Sequence, residues 1–124
     1  PLLYHMPGRI TPSQQATVTQ QIDILPTVVQ MSGHRGPFFS FGHSVLQPTS
    51  STIAIVSSNG IYQCVGEKLH LQFDARKVVG RTLLVDQADT LGIGAMEKGM
   101  ITQLKAAIQQ FNSHMGSGQL VVER

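Results

Sequence analysis

The side chains with the greatest chemical capacity in this chain are five histidines, His5, His34, His43, His70 and His114, and a single thiol, Cys64. Neutral imidazole is a frequent metal ligand, and a site built from it needs two or more rings delivered to one point. Delivery from one helix face requires a four-residue spacing, which no pair of these histidines has. His34 and His43 share a loop and form the best pair, yet neither has a carboxylate at a telling distance, and polar loop residues are the plainer reading. Gly42-His43-Ser44-Val45-Leu46 begins like a nucleophile elbow but carries Leu46 where the closing glycine is required. Gly92-Ile93-Gly94 begins like a dinucleotide loop, but the sixth position is Glu97. Asp86 and Asp89 form an acidic pair in a loop, where capping or solvation is the simpler role. Cys64 falls in a strand pattern, the setting of a small buried residue and not of a reactive thiolate. From these residues alone, no catalytic, cofactor-binding or metal-binding position is assigned.

The bulk properties narrow the classes further. A chain of 124 residues makes one domain or part of one. With 13% charged residues, a formal charge of +2 and no Trp, it lacks both the basic patch and the aromatic platforms of a nucleic-acid binder, so no nucleic-acid partner is expected. The longest apolar runs reach about four residues, so no membrane segment is expected in this chain. Pro1 opens without an initiator Met into apolar, strand-like sequence, which reads as a piece cut from a longer chain.

The elements that would position any site are marked by period and punctuation. Residues 2–6 (LLYHM) suit a buried strand closed by Pro7-Gly8. In residues 20–46, Asp23 precedes Pro26 at a helix start, Leu25, Val28 and Val29 fall on one buried face with Thr27 and Gln30 turned outward, and Gly33 supplies the stop. The loop at 34–42 then holds three of the five phenylalanines, an apolar load that something must cover. Beyond Thr52 the period becomes that of strands. Residues 53–56 and 61–65 flank Asn59-Gly60, the strongest short hairpin signal. A turn at 66–68 leads to residues 69–73, where Leu69, Leu71 and Phe73 alternate with His70 and Gln72, and residues 81–85 give a fourth strand. Residues 96–115 carry the clearest helical stripe, Ile101, Leu104, Ile108, Phe111 and Met115, widened by Met100 and Ala107 and closed by Gly116. Residues 119–122 suit a tail strand. The expected class is α+β, with a three- to four-stranded antiparallel sheet packed by a C-terminal helix, and with two parts at 1–51 and 52–124.

The order LLYHMPG, then QIDILPT followed by an apolar helix and glycine, then FFSFGHSVL, resembles the C-terminal part of sulfatase-like enzymes of the alkaline phosphatase superfamily. The closest flavour is the branch of lipoteichoic acid synthases and phosphoglycerol transferases. Residues 2–46 carry this resemblance, and residues 52–115 agree in outline. It implies a fragment of an alkaline-phosphatase-like α/β fold. In such enzymes a Thr, Ser or modified Cys nucleophile attacks a sulfate or phosphate ester beside a divalent metal (Mn, Mg, Ca or Zn), and both nucleophile and ligands precede the strand that PLLYHMPG resembles. The resemblance therefore places no catalytic or metal residue in this chain. It implies a structural role, the remainder of the catalytic domain as partner, an extracytoplasmic and membrane-tethered location, and self-association through surface left uncovered. The competing expectation is a stand-alone binding or assembly module whose aromatic loop and first strand form a partner surface.

Overall fold

Asn59 and Gly60 both adopt positive φ, 51° and 76°, and close a two-residue hairpin between β1 (Ala54–Ser58) and β2 (Ile61–Val65). The computed structural model describes residues 3–8, 11–14, 16–47, 53–86 and 90–118. β3 (Leu69–Phe73) and β4 (Val78–Leu83) extend the hairpin into an antiparallel meander in the order β1-β2-β3-β4. Register puts Ile55, Cys64, Leu71 and Arg81 side by side, and Tyr62 beside Phe73. One face of the sheet is therefore apolar at its centre.

That face carries the core. Cys64, Leu69, Leu71 and Phe73 pack with Ile93, Met100 and Leu104 of α2 (Ile93–Ser117), while Ile55, Tyr62, Val78, Ile101 and Ile108 flank them. The domain is α+β, with a C-terminal helix lying on an antiparallel sheet. Lys105 Nζ stands 5.7 Å from the centre of the Phe73 ring. Arg81 pairs with Glu97 at 3.3 Å, a surface link of modest worth between β4 and α2.

Cys64 lies fully inside this core, and burial pushes its thiol from the ordinary 9.0 up to about 11. The native protein thus holds the proton where the unfolded chain has released it. The associated stability is complete below pH 9.0 and is lost as the pH rises through about 11. At pH 8 a disulfide-type thiol reagent should leave the folded protein unmodified and label one thiol per chain in denaturant. Fast labelling of the folded protein would contradict the buried position.

Several expectations change. Residues 3–6 are not in a strand, and Leu3 is 87% exposed, because no strand among the described residues lies beside them to supply a ladder; Leu2 lies outside the described residues. The fourth strand begins at Val78 and ends at Leu83, two residues short of Val85, because its partner β3 ends there, Leu69 facing Leu83. His70 and Gln72 are half-buried, so the second face is less wet than strict alternation implies. The last helix starts three residues before Met96 and passes through Gly116 to a left-handed Gly118, whose N–H bonds His114 O. Ser117 Oγ bonds Ser113 O at 2.8 Å across that final turn, keeping Gly116 helical. Asp89 and the expected tail strand at 119–122 lie outside the described residues.

Candidate functional site

Gln20, Asp23 and Thr27 organise the region that the sequence marks as a signature. A 3-10 turn, Gln21–Asp23, feeds α1 (Ile24–Ser32), and Gly33 ends it at φ 73°. Pro26 occupies the first turn of α1, where its missing N–H has no intrahelical use. Asp23 is buried, and its two oxygens accept the N–H groups of Gln20 and His43, each at 2.9 Å. One bond closes the turn locally. The other crosses to the aromatic loop. Thr27 Oγ1 donates to Asp23 O at 2.6 Å and accepts the Val45 N–H at 3.1 Å, a second stitch to the same loop.

Gly42 explains the close fit of this loop. A β-carbon there would collide with the Ile22 carbonyl group, so the residue between Phe41 and His43 has no room for a side chain. Gln20 makes a third connection, in the opposite direction: its Oε1 accepts the Ile55 N–H at 2.9 Å, and its Nε2 donates to Ile53 O at 3.4 Å. One short stretch is thereby bonded both to the loop and to the edge of the sheet.

The expected facing of α1 holds for Gln30, which is exposed, and in part for Val29, which is half-buried, but not for Leu25, Thr27 and Val28. Thr27 is 0% exposed, whereas Leu25 and Val28 are 53% and 48% exposed. The loop under the helix presents backbone N–H groups, and an oxygen satisfies them where a leucine would not. The apolar side of α1, including Ile24, faces outward. The aromatic loop does find cover, from the far end of α2: Phe39 stacks on His114 with ring centres 4.8 Å apart, and Phe41 meets Phe111 at 5.6 Å. Phe111 and Met115 thus leave the sheet-facing stripe, and Phe38 remains exposed.

Between these parts lies a groove of about 1090 Å³, floored by Ile55 and Tyr62 and walled by Phe41, Val45, Ile108 and Phe111. Among the described residues no Lys, Arg or Glu lines it; its ionisable lining residues are His43 and Asp23, whose carboxylate is already held by two backbone N–H groups. Neutral amides from Gln103, Gln110 and Asn112 rim the α2 side. The lining is mainly apolar, the character of sites that take uncharged, largely apolar groups.

The histidines gather only as the pair His34 and His43. His34 and His43 reach one depression of about 380 Å³, without a carboxylate in its lining, and His114 is engaged with aromatic rings. Among the described residues no group of three His, Cys, Asp or Glu side chains is placed to hold a metal ion. Ser44, within the discarded elbow motif, is buried with its hydroxyl accepting the Leu46 N–H at 3.3 Å. Asp86 is exposed. The role of Gln20 is invisible in the sequence, where it opens the 20–46 stretch with no marked role; only the fold brings β1 within its reach.

The fold and groove define a class, an α+β domain with a mainly apolar cleft between its sheet, its last helix and the loop at 34–46. No protein-family model matches the chain, nor does any curated protein or solved structure. No helix among the described residues is long and apolar enough to cross a membrane.

Proposed function

We propose that the chain is the C-terminal structural portion of a metal-dependent sulfatase-like hydrolase or phosphoglycerol transferase acting on sulfate or phosphate esters, and that it is inert alone. The observation that carries this reading is the mutual dependence of the residues behind the resemblance. Asp23 of QIDILPT holds the His43 N–H, and Gly42 of FFSFGHSVL fits against Ile22. Residues 20 positions apart in sequence are thus held as one physical unit. The outward apolar face of α1 supports the remainder of a catalytic domain as partner. In this reading the metal and the nucleophile belong to parts of the enzyme outside this chain, and the extracytoplasmic location is the one the resemblance implies.

The full chain, incubated with an aryl sulfate and an aryl phosphodiester in the presence of Mn²⁺ or Mg²⁺, should give no turnover, and light scattering should show association that grows with concentration. Robust turnover would sink this reading, and a clean monomer at high concentration would remove its support from the exposed face of α1. The second reading, a stand-alone binding module, is favoured by the groove.

A further inference from the structure

The outer edge of β1 is half occupied, and the occupied half shows what fits the rest. Ser58 and Ile61 flank a two-residue turn and face one another. Counting back by two, Val56 and Ala54 also point their backbone groups at β2, so those of Ile53, Ile55 and Ser57 point away from the sheet. The carboxamide of Gln20 takes Ile53 C=O and Ile55 N–H, the pair of groups that one residue of a parallel strand would take. The next equivalent pair, Ile55 C=O and Ser57 N–H, has no partner among the described residues, and Ile55 and Ser57 both line the groove. The other edge of the sheet is protected: β4 carries Arg81 and an irregular register opposite Gln72 and Phe73, whereas β1 (AIVSS) has no charge, proline or bulge.

We propose that the open half of the β1 edge binds an extended, uncharged peptide segment, which pairs its backbone with Ile55 and Ser57 and lays apolar side chains in the groove. An amide group is selected because the adjoining positions already hold one in the required donor and acceptor arrangement. A neutral apolar segment is selected because, among the described residues, the groove brings no Lys, Arg or Glu to meet a charge, and the Asp23 carboxylate is taken up by backbone N–H groups. A second copy fits less well, since the antiparallel register that pairs Ile55 with Ser57 of two β1 strands would need Ile55 N–H, which Gln20 holds. The inference concerns this chain's own edge and does not rest on the enzyme ancestry.

The test is a titration of the ¹⁵N-labelled full chain with acetyl-Val-Thr-Val-Thr-amide, followed at the Ser57 amide. The resonance should shift saturably and its hydrogen exchange should slow, and the fully N-methylated peptide should bind about tenfold more weakly for want of its donors. Ser57→Pro removes the outward N–H at an edge position that tolerates proline, so it should keep the wild-type circular dichroism and lose the peptide. A Ser57 amide indifferent to the peptide, equal binding of the N-methylated analogue, or full binding by folded Ser57→Pro would overturn the proposal. So would Ser57 protection that rises with protein concentration alone, which marks pairing with a second copy.

Discussion

Asp23→Ala should lower stability by about 3 kcal/mol, read as a reduced urea midpoint with an unchanged slope. The substitution leaves the N–H groups of Gln20 and His43 without the acceptor that each meets at 2.9 Å. Hydrogen bonds to a charged group contribute roughly 1.5–3 kcal/mol each, and a buried donor left unpaired costs about 1–3 kcal/mol. Asp23→Asn should lie close to the alanine variant, because its amide nitrogen turns a donor toward one of the two donors. Against a typical domain stability of about 5–15 kcal/mol, either loss is large. An effect below about 1 kcal/mol would show that the loop is held by its aromatic contacts and not by the carboxylate.

Leu104→Ala should cost about 3 kcal/mol, and Phe111→Ala about 1 kcal/mol, although both belong to the same helical stripe. Leu104 is fully buried against the sheet, so truncation removes contacts and leaves a cavity. Phe111 is 49% exposed and touches the aromatic loop through Phe41, so water reaches much of the space it vacates. The helix is thus divided: its first half is fixed to the sheet, and its last turns cover the loop. Thermal unfolding of the two variants separates these roles, and equal losses would mean that the loop end of α2 is as deeply packed as the core.

The sheet was legible because its determinants are local. Asn59-Gly60 sets the hairpin, and the alternation of Leu69, Leu71 and Phe73 sets the buried face of β3, so β2 and β3 fall at their expected residues, while β1 runs over Ala54–Ser58 instead of 53–56 because pairing continues to the turn. The face of α1 was not legible. Period identifies an apolar stripe and assumes that the stripe points inward, whereas here the loop beneath the helix needs acceptors, and Thr27 and Asp23 supply them. Residues 3–6 were misread for a related reason, since an apolar run becomes a strand only beside a partner. At the candidate site, the signature residues Asp23 and Gly42 were recognisable as a pattern, but their physical task was not. Neither the contact between Gln20 and β1 nor the groove it borders leaves a trace in spacing, because the residues involved are separated by 33 and 35 positions.

The central claim is that the signature stretch is a staple binding helix, loop and sheet edge into one unit, and native-state hydrogen exchange tests it most directly. The amide protons of His43, Val45 and Ile55 bond to Asp23, Thr27 and Gln20 respectively. They should open with the same free energy as the amides of Cys64 and Leu71 in the sheet centre, as members of one cooperative unit do. Exchange of His43, Val45 and Ile55 at the rate of an unstructured chain, while Cys64 and Leu71 stay protected, would contradict the claim.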